Sequence, residues 1–487
     1  MPRRAKIVCT LGPSSSSQEA VFGLVRAGMD VARLNLSHGS YKDHEQVYLN
    51  VRRASDETGR SVAVLVDLQG PKIRLGKFDG GAATLAEGER FVITTDDVVG
   101  DARRASTTYA GLATDIAVGD PILVDDGRLS LTVTAVEGND VITEVVIGGR
   151  VSDHKGMNLP RTEIAAPALT DKDAADLKWA LDLRADLIAL SFVRGPDDVQ
   201  SVRRVMAEHG VQLPVLAKLE KPQAVEQLEE VVEAFDGLMV ARGDLGVEMR
   251  LDEVPTVQKR AVALARGQAK PVIVATQMLE SMVSEERPTR AEASDVANAV
   301  LDGVDAVMLS AETSVGKHPV RVVETMGTVV ATTERNGADL VRDLAKDPFT
   351  MGGVIAKAAI EVGTLLGASA LCAFTQTGDT ARRLARHHSP IALLAFTPVQ
   401  AVRSQLSLSW GVETFLTEMV EHTDEMVRQV DVALLEAGRC AIGERVVIVA
   451  GSPPGTPGST NALRVHRIGD AVGGVAPAYR NQRRRRA

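Results

Sequence analysis

Residues 214–244 read PVLAKLEKPQAVEQLEEVVEAFDGLMVARGD, two short apolar runs with a helical pattern between them. Strand, helix and strand in that order imply a parallel pair joined by a crossover. The first run closes on Lys218 and Glu220, the second on Asp244, which lies between Gly243 and Gly246. Side chains alternate along a strand, so Lys218 and Glu220 point the same way, roughly 6 to 7 Å apart by strand rise. One reading is an ion pair that merely holds the strand end. The other is a hard-metal site, because Mg2+ takes one or two protein carboxylates with substrate oxygens and water, and Asp244 offers the second. Lys218 would then stand as a positive charge beside a phosphoryl group.

The same texture recurs outward in both directions. KIVCT (6–10), DVARLNLS (30–37), VAVLVDL (62–68) and DLIALSF (186–192) precede it, and PVIVATQ (271–277) and DAVMLSAE (305–312) follow, most with a helical pattern after them. Eight alternating units are the number that closes a (β/α)8 TIM barrel, with an open doubly wound sheet as the competing arrangement. Polar residues fall at the C-terminal ends of the runs: Thr10, Asn35 with Ser37, Asp67, Ser191, Lys218 with Glu220, Asp244, Thr276, and Ser310 with Glu312. Barrel enzymes gather their chemistry at that end, which favours the barrel. Between the third and fourth runs lie RFVITTDD, DPILVDDG and RLSLTVTAVEGNDVITEVVIGG, which read as a small all-β domain inserted over the mouth as a lid. ALCAFT (370–375), IALLAF (391–396) and ERVVIVAG (444–451) mark a further α/β unit.

Composition agrees with this class. The 487 residues suggest about three domains, and 45% hydrophobic with 24% charged residues is the profile of a folded globular chain. Aromatics are only 3%, so the core must be aliphatic, which suits a buried parallel sheet. Cys9, Cys372 and Cys440 show no metal or redox spacing, a pattern expected in a reducing cytoplasm. The N-terminus has no apolar signal core and no stretch is long and apolar enough to span a bilayer, so no membrane role is expected. A net charge of −9 argues against nucleic-acid binding, although the tail RNQRRRRA (480–487) is basic and is expected to be solvated and disordered.

In RLNLS, Arg33, Asn35 and Ser37 share one strand face. The plain reading is a partly wet barrel interior; the functional one is an anion site, with the Arg33 fork on a phosphate. Gly243 and Gly246 allow close approach of backbone to a ligand, and a helix beginning there would present free N–H groups to a carboxylate or phosphate. Ser310 and Glu312 could equally be a helix cap and its neighbour.

With these residues in place the chain resembles the pyruvate kinases over nearly its whole length. The matching strings are KIVCTLGP, RLNLSHG, DLQGPKIRLG, HKGMNLP, MVARGDLGVE, ATQMLESM, RPTRAEASDVANAVLDGVDAVMLSAET and GSPPGTPGSTN. The resemblance implies a barrel (1–69 and 167–341), a small β-barrel lid (70–166), a C-terminal α/β regulatory domain (342–478) and the basic tail (479–487). It implies phosphoryl transfer from phosphoenolpyruvate to ADP, giving pyruvate and ATP, with Mg2+ (or Mn2+). Carried over by position, Arg33 and Arg74 hold phosphate groups and Lys218 stabilises the transferring phosphoryl. Glu220 and Asp244 bind the divalent metal, and Thr276 with the Gly243 and Asp244 backbone receives the substrate carboxylate. Asn35, Ser37 and Asp67 match positions around a monovalent cation, Asn35, His38, Arg74 and the lid lysine Lys155 match the nucleotide site, and Ser310 and Glu312 match the proton path. A homotetramer is implied as well.

Two departures stand out. Potassium-dependent members carry a glutamate where this chain has Lys72 and commonly a threonine where it has Leu68, so the Lys72 ammonium is expected to supply the charge K+ otherwise brings, the other reading being an outward surface lysine. TQTGDTARR (375–383) resembles the loop that binds a phosphorylated effector, with Thr375, Thr377, Gly378 and Thr380 as donors. Asp379 would repel a phosphate if it pointed inward, which leaves open whether AMP, a sugar phosphate or neither binds. The rival readings are another Mg2+-dependent barrel acting on pyruvate or its enolate, which would lack HKGMNLP, and an inactive binding protein that uses the tail.

Overall fold

The computed structural model describes residues 3–471 apart from 161, 163, 166, 345–349 and 457; the basic tail lies outside the described residues. Eight parallel strands close a barrel: β1 (Lys6–Thr10), β2 (Val31–Asn35), β3 (Ala63–Asp67), β4 (Leu187–Leu190), β5 (Val215–Leu219), β6 (Gly237–Ala241), β7 (Val272–Ala275) and β8 (Ala306–Leu309). Each pairs with its neighbours in chain order, and β8 returns to β1. The expected barrel is thus present, and the open sheet is excluded. Alternation splits the strand residues into two cores. Val8, Val31, Leu65, Leu216 and Met308 fill the barrel, while Ile7, Val64, Val215 and Val307 face the surrounding helices.

The even-numbered strands share a device at the floor of the barrel. The aspartate just ahead of each accepts a backbone N–H from the preceding strand: Asp30 from Ile7 at 2.9 Å, Asp186 from Val64 at 2.7 Å, Asp236 from Val215 at 2.8 Å and Asp305 from Val272 at 3.1 Å. Each carboxylate therefore satisfies a buried donor at a strand start and fixes the stagger of a pair.

Between β3 and β4 the chain builds a six-stranded sheet and a two-stranded ribbon around one core that includes Leu85, Phe91, Leu131 and Val151. This is the expected inserted β unit. Gly70, at φ +71, stands where it begins; a Cβ there would lie 2.7 Å from the Phe192 ring, so the turn admits no side chain. After the barrel come β9 (Ala370–Phe374), β10 (Ala392–Thr397), β11 (Val412–Leu416), β12 (Arg445–Gly451) and β13 (Thr460–Arg467), ordered β11-β10-β9-β12-β13. Three of these were expected. The edge strands β11 and β13 were not, because both are largely half-exposed and polar and so show no continuous apolar run. This unit docks under the barrel floor, where Leu408 joins the barrel's inner core and Trp410 N donates to Asp305 at 2.9 Å.

Candidate active site

Thr10, Arg33, Asp67, Ser191, Lys218 and Ser310 lie two residues beyond inward apolar positions, so alternation carries them into the mouth on the same face. The barrel interior thereby changes from aliphatic to ionic at its C-terminal end. Lys218 Nζ lies 2.8 Å from Glu220 Oε1 and 3.3 Å from Asp67 Oδ1, and donates to Ser191 Oγ at 2.7 Å. Arg33 places Nε and one terminal nitrogen at 2.7 Å from Asp67 Oδ2, and its other terminal nitrogen donates to Thr10 Oγ1 at 2.9 Å. The ion pair considered for Lys218 and Glu220 exists, but within a network of two cations and two carboxylates.

The electrostatics follow from the packing. Burial pulls the Lys218 ammonium down, but Asp67 and Glu220 more than reverse this, so it titrates above its ordinary value and stays charged. Burial pushes Asp67 up, and Lys218 and Arg33 outweigh it, holding the carboxyl below the usual range. Glu220 behaves differently. Burial and the like charge of Asp244 push it up, although Lys218 and the Phe192 N–H, donating to Oε2 at 2.7 Å, pull the other way. A carboxylate left short of positive charge beside a second carboxylate fits a divalent cation. No group of three or more His, Cys, Asp or Glu side chains is placed to hold a metal among the described residues. A cation on Glu220 and Asp244 would therefore depend on substrate oxygens and water, as Mg2+ does.

Asp244 belongs to the short helix Arg242–Glu248, which follows β6 as the glycines suggested. Gly243 N donates to Thr276 Oγ1 at 2.8 Å, and that hydroxyl donates to Ala275 O at 2.6 Å. Thr276 has φ +71, a left-handed conformation rare for a β-branched residue and held by the surrounding structure. Ser310 stands at the N-cap position of the turn Ala311–Ser314, as one reading had it, but its side chain makes no capping hydrogen bond. Glu312, fully buried, accepts Leu279 N at 3.1 Å and Ser310 N at 2.6 Å.

Asn35 Oδ1 accepts Ser37 N at 3.2 Å, and the Ser37 hydroxyl makes no hydrogen bond with a described residue. At the lid root, Arg74 donates to His154 O at 3.1 Å. Burial, then the cations Arg74, Lys72 and Arg33, lower the His38 imidazole, which places these four side chains in one electrostatic neighbourhood. Lys72 lines a pocket with Asp244, Phe192 and Arg194, and its ammonium makes no ion pair with a described residue. Lys155, by contrast, is tied to Asp125 within the lid at 2.6 Å.

The loop 375–383 lies far from the mouth, on a pocket it shares with Thr417, Met419 and Thr456. Thr375 Oγ1 accepts Gly378 N at 2.8 Å, and Thr380 Oγ1 meets Thr460 Oγ1 at 2.6 Å, so both hydroxyls are engaged inside the protein. Thr377 also lines this pocket, with its carbonyl taken by Arg382 at 3.0 Å. Asp379 is paired with Arg383 at 2.6 Å, which offsets the charge that would repel a phosphate. Sequence reasoning missed Lys221, Glu248 and Asn158, which meet across the fold without a shared local signal. Ser191 was noted as a polar strand end but not as the partner of Lys218.

The family pattern "Pyruvate kinase, barrel domain" matches residues 2–323, and "Pyruvate kinase, alpha/beta domain" matches residues 354–466. A pyruvate kinase of Mycobacterium intracellulare is 60% identical over 470 residues, covering 96% of this chain and 99% of its own. One of Corynebacterium glutamicum is 58% identical, covering 96% and 98%. A solved pyruvate kinase from Cryptosporidium parvum superposes with a TM-score of 0.87 at 32% identity over 96% of each chain. Agreement of this extent, over the barrel that carries the ionic mouth and the unit beneath it, shows that the chain belongs to the pyruvate kinase family, the enzymes of glycolytic phosphoryl transfer from phosphoenolpyruvate to ADP.

Proposed function

We propose that this chain performs that transfer at the Lys218 cluster, with Lys218 as the fixed positive charge on the moving phosphoryl group. The observation that carries the reading is the clamp of Lys218 between Asp67 and Glu220, which keeps its ammonium charged and aimed into the mouth. Phosphoryl transfer needs charge placed where it develops rather than a covalent nucleophile. Arg33, held by Asp67 and Thr10, is oriented for a phosphate before substrate arrives, and Arg74 faces the same space from the lid root. Glu220 and Asp244 would hold Mg2+ or Mn2+, which when bound neutralises phosphoryl oxygens. Thr276, with the Gly243 and Asp244 N–H groups, receives the substrate carboxylate once the hydrogen bonds from Gly243 N to Thr276 Oγ1 and from Thr276 to Ala275 O give way, and Thr276 and Ser310 are the hydroxyls at hand for protonation of the enolate. His38 and Lys155 face the nucleotide, the latter once it leaves Asp125.

Asn35, Ser37 and Asp67 occupy the monovalent-cation positions. Both oxygens of Asp67 already meet Lys218 and Arg33, and Lys72, whose ammonium makes no ion pair with a described residue, helps to lower His38 at the same mouth, which supports activity without K+. The pocket lined by Thr375, Thr377 and Thr380, in the loop that also carries Gly378, is assigned to AMP or a sugar phosphate. A cytoplasmic homotetramer completes the reading, in keeping with the family; no helix of the described residues is long and apolar enough to cross a membrane.

The test is a lactate-dehydrogenase-coupled assay with ADP and Mg2+. A unit charge at 4 Å is worth on the order of 4 kcal/mol at an effective dielectric near 20, and about 1.4 kcal/mol is tenfold in rate. Lys218→Met is therefore expected to lose about three decades of turnover while keeping its fold by circular dichroism. Near-normal turnover of the purified variant would refute the role.

A further inference from the structure

Glu248 closes the helix that begins just before Asp244, and Lys221 directly follows Glu220, so each neighbours one carboxylate assigned to the metal. The two form a buried ion pair, Lys221 Nζ to Glu248 Oε1 at 2.8 Å. The same oxygen accepts Asn158 Nδ2 at 2.8 Å, and Asn158 lies in the last strand of the inserted sheet. Glu248 Oε2 has no hydrogen-bond partner among the described residues. A buried carboxylate that rests on one doubly used oxygen loses much when either donor leaves, since little water can take its place. The contact crosses the seam between lid and barrel, where the Arg194 guanidinium also reaches Ile164 O.

We propose that Asn158, Glu248 and Lys221 form a latch that joins the lid to the two segments carrying the metal carboxylates, so that lid position and metal affinity are coupled. Asn158, Lys221 and Glu248 line the pocket that Asp244 also lines, and in this proposal they are positioning residues that act through the backbone of Glu220 and Asp244. The inference rests on the assignment of those two carboxylates to the metal. Asn158 reaches Glu248 only while the inserted sheet lies against the helix Arg242–Glu248. A lid swung away leaves Glu248 with Lys221 alone, and the helix that positions Asp244 loses its outer brace. Coupling is reciprocal, so a bound metal that fixes this helix also favours the seated lid.

The experiment uses the full chain without substrates. Mn2+ binding is read by electron paramagnetic resonance, and lid seating by hydrogen exchange across residues 70–160, for the parent, Asn158→Ala, Asn158→Asp, Lys221→Met and Glu220→Gln. Outer partners of metal ligands typically tune affinity by tenfold or more, so Asn158→Asp, which sets a like charge against Glu248, is expected to weaken Mn2+ by about tenfold and to speed lid exchange. Asn158→Ala should fall between it and the parent. A packing role would reverse that ranking, because aspartate preserves the shape that alanine removes. Lys221→Met gives an independent arm on the barrel side should an Asn158 variant not fold, and is expected to weaken Mn2+ as well. If Glu220→Gln keeps full Mn2+ affinity, the metal assignment itself is wrong. If Glu220→Gln loses Mn2+ but Asn158→Asp and Lys221→Met match the parent in affinity and lid exchange, the latch is refuted.

Discussion

At the scale of the residue, Lys72 carries the sharpest consequence. In this proposal Lys72 takes the place of the K+ that pyruvate kinases often need, and Asp67 is one of the positions carried over to that cation. Here Asp67 is already flanked by Lys218 and Arg33, and Lys72 adds a half-buried ammonium that helps to lower His38. Turnover in a buffer whose only monovalent cation is a bulky quaternary amine is expected to change by less than about twofold on adding KCl. Lys72→Glu removes the charge and installs an acceptor, and is expected to make the rate depend on KCl. A large stimulation of the parent by KCl would show that the ammonium does not do the ion's work. Much at this scale was legible, because period-two alternation alone sends Arg33, Asp67 and Lys218 to one face. Their pairing was not. Arg33 and Asp67 are 34 residues apart, and Asn158 and Glu248 are 90 apart, so only the closed fold brings each pair together.

At the scale of the element, the aspartates ahead of β2, β4, β6 and β8 show a signal that stood in the sequence without being used: the four matching runs each begin with Asp. What alternation could not reveal is that these side chains differ in their company. Asp30 faces Arg3 and Asp186 faces Arg52, each at 2.8 Å, whereas Asp305 gives its second oxygen to the neutral Trp410 N–H. Burial raises Asp186 as well, despite Arg52, and at Asp305, which has no cation among the described residues in direct contact, it pushes the carboxyl up to about 6. The sign follows. Between the unfolded value near 4 and the folded value near 6, the native state binds more protons than the unfolded one, so this group's contribution to stability falls as pH rises through that window and is level above it. The shift of about two units corresponds to on the order of 3 kcal/mol. Asp305→Asn, which cannot titrate, is expected to cost stability at pH 4.5 through its lost acceptor and to close much of that gap by pH 6.5. Thermal unfolding of both proteins across this range checks it, and a gap that stays constant or widens would contradict the assignment.

At the scale of the whole molecule, the mouth and the candidate effector pocket lie on opposite sides of the barrel floor. Whatever passes between them crosses the contact where Leu408 fills the barrel's inner core, Trp410 meets Asp305, and Arg266 donates to Arg386 O at 3.1 Å. Two of the segments that line the pocket, 374–380 and 458–460, are held together on one side by the Thr380 to Thr460 hydroxyl contact, and 417–420 closes another side. A phosphorylated ligand would draw both segments onto one anion and tighten the sheet that rests on the barrel floor. A ligand shifts an equilibrium only by its differential affinity for two states, so the effect should appear as a lower half-saturating phosphoenolpyruvate concentration rather than a higher maximal rate. Velocity curves with AMP and with sugar phosphates are expected to shift to lower substrate for at least one of them. Thr380→Asp, which places a negative charge in the pocket and none near the mouth, should abolish that shift and leave effector-free turnover within about twofold of the parent. If no phosphorylated compound moves the parent's curve, the loop is vestigial and the Asp379 to Arg383 pair is all that remains of its charge pattern; if Thr380→Asp responds like the parent, the ligand binds elsewhere.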